Sequence, residues 1–175
     1  MSEMSTDWIG EWRLDPERTT LEFHSPTFWG LAHVKGTFAG VSGSARAAAA
    51  DEGIDVTGHL EIDAASVHTG IRKRDTHLMS PDFFDVQAFP SIAVVVESGE
   101  VTGTGWVLLH AQLSVKGVQR DVELATHVRA AGDGALRLQT TTTLNRLHYG
   151  VDGNLMGMMG EAVNIEATAV FVRQS

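Results

Sequence analysis

Val107 to Val128 reads VLLHAQLSVKGVQRDVELATHV, and its apolar residues change parity half-way. Before Lys116-Gly117 they take odd positions, Val107, Leu109, Ala111, Leu113 and Val115. After it they take even ones, Val118, Val122, Leu124 and Val128. Alternation of this kind marks a strand with one buried face. A switch from odd to even needs a loop with an even number of residues. Lys116-Gly117 fits, with Gly where a tight hairpin turn demands positive φ. Val115 is then expected opposite Val118, Leu113 opposite Arg120, and Leu109 opposite Leu124.

The next turn extends the meander. Leu136, Leu138 and Leu144 keep the even row, so the connection must be odd, and Gly132-Asp133-Gly134 fits with Gly134 left-handed. Ala131 then pairs with Ala135, Val128 with Leu138, Val122 with Leu144 and Arg120 with Arg146. Upstream, Ile54 to Ile62 alternates apolar or Gly with polar residues, and Val163, Ile165, Ala167, Ala169 and Phe171 form the last apolar row. The Ala-rich stretch Ser44 to Gly53 is broken by a DEG turn and reads as a strand end running into a loop.

One segment departs from the pattern: SVHTGIRKRDTHLMSPDFF, Ser66 to Phe84. On a helical projection Val67, Ile71, Arg74 and Leu78 share one side, while Arg72 and Lys73 point away. This predicts a short amphipathic helix starting near Ser66 and ended by Ser80-Pro81. Phe83, Phe84 and Phe89 follow as an aromatic plug for one face or mouth of the sheet.

Composition narrows the functional classes. At 175 residues a single domain is the expectation. A formal charge of −9 argues against a phosphate backbone or an anionic membrane surface as partner. No cysteine is present, which removes disulfides, thiolate catalysis and Cys-based zinc sites. No apolar run reaches the ~20 residues of a membrane helix. The start, MSEMSTDWIGEW, lacks a basic stretch followed by an apolar one, so a cytoplasmic location is expected. Residues 1–11 are expected to be a flexible lead. The eight histidines form no spaced metal motif, and no phosphate loop or dinucleotide fingerprint occurs, so neither a metal nor a cofactor is expected.

The segment TGIRKRDTHLMSPDFFDVQAFPSI, Thr69 to Ile92, resembles the signature of the YceI-like family, in which a TG, an RD-x-HL and an FF before a Pro recur in that order. WRLDPERTTLEF, VKGTF, LSVKGVQRDV, LNRLHYGV and GEAVNIEA resemble further blocks of that family in register, from Trp12 to about Val172. The resemblance implies an all-β fold spanning residues 12–175: an extended antiparallel lipocalin-like barrel of about eight strands with one short amphipathic helix insert. It also implies a lumen for polyisoprenoids, quinone-like molecules or fatty-acid derivatives, and no enzymatic activity. Two departures stand out. Many members are exported, and Pro26 and Trp29 lie in SPTFWGLA, Ser25 to Ala32, where the family has a plainer stretch.

The inward rows mix Leu with Ala111, Ala167, Ala169, Gly58, Thr126, Thr140 and Thr142, which points to a partly empty lumen. Strands of this length make a tunnel of roughly 30 Å, and each buried CH₂ contributes about 0.8 kcal/mol, so tail burial dominates affinity. Directly opposed like charges are unfavourable. Arg120 and Arg146, with His148 next in the row and Arg74 on the inward side of the helix, are therefore expected to share an anion, either Glu161 or a ligand head group. Met156 and Met158 suit an adaptable entrance. The expected ligand contacts are Phe23, Trp29, Arg74, Leu78, Phe83, Phe84, Leu113, Arg120, Leu124, Leu144, Arg146, His148, Met156 and Met158.

Two other readings remain open at this point. An enzyme acting on a hydrophobic small molecule in the same cavity has His148, Tyr149 and Arg146 as candidate acid-base groups. An assembly module is suggested by Trp106, Leu108, Val170 and Val172, apolar on outward rows, which would lie under the helix or in a homodimer interface.

Overall fold

Both turns hold the expected register. Lys116 and Gly117 have φ of 52° and 76°, the pair of left-handed conformations that a two-residue hairpin loop needs to match strand twist. They join β8 (Trp106–Val115) to β9 (Val118–Ala130), with Val115 opposite Val118, Leu113 opposite Arg120 and Leu109 opposite Leu124. A side chain at Gly117 would also collide with Phe89, its Cβ falling 2.8 Å from Cε1. The second turn carries Asp133 at φ 51° between two left-handed glycines, and the Ala131 amide donates to the Ala135 carbonyl at 2.9 Å. It leads into β10 (Leu136–Asn145), with Val128 opposite Leu138.

The computed structural model describes residues 6–27, 32–154 and 160–175. The remaining strands are β1 (Gly10–Leu14), β2 (Thr20–Thr27), β3 (Ala32–Phe38), β4 (Val41–Ala49), β5 (Ile54–Asp63), β6 (Val67–His68), β7 (Ser91–Gly103) and β11 (Ala162–Arg173). Three pairs of these segments are single strands broken at a corner. β1 and β2 are separated by one helical turn at Pro16–Arg18, β3 and β4 by Ala39-Gly40, and β5 and β6 by the turn Ala64–Ser66. Counting each broken pair as one strand gives an eight-stranded antiparallel barrel, closed where β1 and β2 share the edge of β11. Closure removes the free edges that an open sheet of this length would expose.

The helix is shorter and later than the periodicity predicts. α1 spans Arg72–Met79, not a run from Ser66. Val67 and His68 are taken instead by the ladder with β3, opposite Phe38 and Thr37. The Asp75 carboxylate then accepts the Thr69 amide at 2.9 Å, an acidic group in the first turn of the helix where the dipole favours it. Ile71, placed on the buried side by projection, is exposed.

Outward apolar residues have separate fates. Val170 is buried beneath the β1–β2 corner, where the Asp15 amide donates to its carbonyl at 2.7 Å and its own amide donates to Thr19 Oγ1 at 3.1 Å. Trp106 is 45 % exposed and lies on His127, ring centroids 4.7 Å apart. Of the amino-terminal segment, residues 6–11 are described, and Trp8 within it is buried with Ala47, Ile54, Val107 and Val128. That cluster fills the end of the barrel where the β4–β5, β7–β8 and β9–β10 turns lie. The opposite end is capped by Leu78 of α1, Phe83, Phe84 and the turn that follows β10.

Candidate functional site

Between the packed end and the cap lies a cavity of ≈ 230 Å³. Its walls are almost wholly apolar, drawn from the inward rows of the barrel strands and from the cap. Phe23 packs over Gly36, where any Cβ would stand 2.3 Å from the Phe23 ring, so only glycine leaves room for that ring. Phe38 contacts both Phe23 and Phe84 with ring centroids 5.6 Å apart, joining barrel wall to cap.

Polar groups gather at the cap end. Arg146 lies on the one-turn segment Arg146–Tyr149 and is buried. Its guanidinium donates to the carbonyls of Gly160 at 2.9 Å, Val151 at 2.7 Å and Gly153 at 2.7 Å, so it ties the start of β11 to the backbone that follows Tyr149. Burial pushes its pKa down, while Asp152 and Glu161 push it back up. Tyr149 is buried beside it, and burial raises its pKa against the opposing field of Arg120. Ser25 of β2 is only 2 % exposed, borders the cavity and carries a buried Oγ with no hydrogen-bond partner.

Of the expected contacts, Phe23, Leu78, Phe83, Phe84, Leu113, Leu124, Leu144 and Arg146 border the cavity. Arg74, Arg120 and His148 are not among its lining residues. Arg74 donates to the Thr69 hydroxyl at 2.8 Å and carbonyl at 3.0 Å, and Arg120 is exposed with its Nε donating to the His148 carbonyl at 3.0 Å. Trp29, Met156 and Met158 fall outside the described residues.

Counted from the second turn, the expected pairings of Val122 with Leu144 and of Arg120 with Arg146 are not formed. The ladder between β9 and β10 stops at Thr126 opposite Thr140, although both strands continue beyond it. Arg146 has by then left the strand, and its guanidinium donates to backbone carbonyls at the cap, in the field of Asp152 and Glu161. Beyond Thr126 and Thr140 the two strands run on without pairing, and Val122, Leu124, Thr142 and Leu144 on either side of this gap border the cavity. Ser25 escaped the sequence reading because a hydroxyl does not register in an apolar row. The available signal was its place after Leu21 and Phe23, where the alternation calls for one more inward residue.

On the outer wall, Glu22 and His24 of β2 and Glu166 of β11 bring three potential metal-ligating atoms within 4.8 Å of one another. Sequence spacing misses this group because it forms across strands, with Glu22 directly opposite Glu166. Lys35 stands 3.9 Å from Glu22 and answers part of the negative charge.

A family model for the YceI-like domain matches residues 12–171. A UPF0312 protein of Pseudomonas putida is 26 % identical over 179 residues, covering 94 % of this chain and 87 % of its own. A UPF0312 protein of Staphylococcus aureus is 31 % identical over 121 residues, 61 % of this chain and 66 % of its own. Among solved structures, BcnA of Burkholderia cenocepacia superposes with TM-score 0.79 at 17 % identity, covering 90 % of this chain and 98 % of that one. A polyisoprenoid binding domain from Saccharophagus degradans gives 0.78 at 18 % identity, covering 93 % and 98 %. At these identities the two structures establish the fold.

Proposed function

The chain belongs to the YceI-like family, and from that premise we propose that it is a carrier that holds a long-chain apolar ligand, a polyisoprenoid, quinone-like molecule or fatty-acid derivative, in the barrel. The observation that carries this reading is the apolar cavity of ≈ 230 Å³. Apolar cavities of about 150 Å³ stay dry and take up benzene, so this one accommodates an apolar group of about ten carbons. At about 0.8 kcal/mol per buried CH₂ such a group yields about 8 kcal/mol before ordering costs. The domain structure from Saccharophagus degradans, which shares this fold, is described as polyisoprenoid-binding.

Transfer of the ligand rather than its conversion is part of the proposal. Tyr149 is buried and held toward its neutral form, Arg146 is committed to backbone carbonyls, and the ring of His148 is exposed away from the cavity lining. The cytoplasmic location and the homodimer belong to the same reading, and cell fractionation and light scattering check them. The direct test is extraction of the purified protein with organic solvent followed by mass spectrometry, together with a titration with N-phenyl-1-naphthylamine, a fluorescent apolar probe. The expected result is a prenyl or acyl compound in the extract and saturable probe fluorescence. No extractable compound and no saturable fluorescence would overturn the reading.

A further inference from the structure

The cavity wall includes one residue, Ser25, whose fully buried polar atom has unfinished bonding. Among the described residues, Ser25 Oγ is the buried side-chain polar atom without a hydrogen-bond partner. Burying a hydroxyl without a partner carries a desolvation penalty, and native proteins leave few such groups. Its place is informative. β2 pairs with β11 as far as His24 opposite Asn164, so Ser25 stands one step further toward the cap, level with Val163. Val163 pairs in turn with Leu144, two residues before Arg146. Ser25, Arg146 and Tyr149 thus mark one end of a cavity that is otherwise apolar. The guanidinium there is already bonded to three backbone carbonyls, so it does not call for an acidic head group. Of the hydroxyls in the cavity wall, that of Ser25 is the fully buried one left unmet, and it can donate once and accept twice.

Resting on the carrier reading, we infer that Ser25 anchors the ligand's head, and that the head bears an uncharged oxygen, an alcohol or a carbonyl, seated at the cap end with the tail running toward Leu124. A phosphate or carboxylate would lose its hydration and gain one hydroxyl in return, so the site discriminates against anionic heads.

The test compares 1-decanol with decane, each displacing N-phenyl-1-naphthylamine from the wild-type protein and from Ser25→Ala. Decanol is expected to lose about fivefold to tenfold in affinity on substitution, the effect of one neutral hydrogen bond, while decane is unchanged. The melting temperature of the unliganded variant is expected to hold or rise, because a buried orphan hydroxyl is removed. Equal loss for both ligands, a variant less stable than wild type, or binding of decane but not decanol by the wild type would overturn the inference while leaving the carrier reading intact. Failure of the wild-type protein to take up the probe or either ligand would overturn both.

A second observation bears on access. The unpaired stretch of β9 and β10 beyond Thr126 and Thr140 is flanked by cavity residues and carries no ladder bonds; side-chain bonds span its two ends, Thr140 Oγ1 to the Ala125 carbonyl and Arg120 Nε to the His148 carbonyl, both exposed. Opening the cap instead requires loss of the Arg146 bonds and of the Lys116 Nζ bonds to the carbonyls of Pro81 and Gly150. We infer that a chain longer than the cavity enters sideways through this gap. The chain lacks cysteine, so single thiols can be placed cleanly. Thr143→Cys on the gap's outer rim and Pro81→Cys on the cap are each biotinylated and covered with streptavidin. Release of the probe slowed tenfold or more by the cover at 143, and less than twofold by the cover at 81, supports sideways entry. The reverse order, or equal rates, overturns it.

Discussion

At the turn end of the barrel, Trp8, Ile54, Val107 and Val128 close around the small Ala47, and large residues fill the space the small one leaves. In the cap-side half, Ala167, Thr140 and Thr142 are small as well, yet among the described residues no large side chain fills the space beside them, and a cavity results. The same alternating strands build both halves. What differs is the partner across the lumen: the packed end receives an indole from outside the strand pattern, from the segment before β1. Small inward residues therefore do not by themselves make a binding cavity; Ala111, Ala169 and Thr126 are buried without bordering it.

The contrast can be broken most forcefully at its packed end. Trp8→Ala is expected to cost about 3–5 kcal/mol in chemical denaturation, the range for removing a buried large aromatic. Leu124→Ala, whose side chain already faces open space, is expected to cost about 1 kcal/mol because it gives up fewer contacts. Equal costs would mean that the two halves are packed alike. Arg146→Ala comes next, at about 3 kcal/mol, since three backbone carbonyls at the cap lose a charged donor.

Filling sharpens the same comparison. Ala111→Leu in the packed stretch is expected to destabilise by about 1–3 kcal/mol through overpacking. Ala167→Leu is expected to leave stability unchanged or slightly raised while weakening N-phenyl-1-naphthylamine binding tenfold or more. Probe titration beside thermal melting separates the two effects. The smallest effect is electrostatic. Burial holds the folded Tyr149 pKa above its ordinary value of 10.0, so as pH rises past that value the unfolded chain ionises first and stability falls until the folded tyrosine titrates too. Tyr149→Phe is expected to flatten the alkaline limb of the stability curve.

The meander from Val107 to Leu138 was legible because parity and turn chemistry are local and agree, so register follows from counting. The start of α1 was not, because Val67 fits a helical projection but, with His68, finds a strand partner in β3, and only the folded chain supplies that partner. The Arg120–Arg146 pairing failed for a related reason: counting assumes that a ladder runs to the end of both strands, and this one stops early. Eight of the expected contacts border the cavity because apolar inward rows identify wall residues, whereas polar ones depend on bonds the sequence does not display. Ser25 is the clearest case, a hydroxyl whose meaning lies in the partner it lacks.

On the proposed reading, the cap-side half of the barrel is a chamber for an apolar guest, and a crystal structure of the protein grown with N-phenyl-1-naphthylamine shows whether it is. Probe density is expected enclosed by Phe23, Leu124, Thr142 and Ile165, with the packed half unchanged. Probe found only on the outer surface, or a chamber filled by the protein's own side chains, would contradict it.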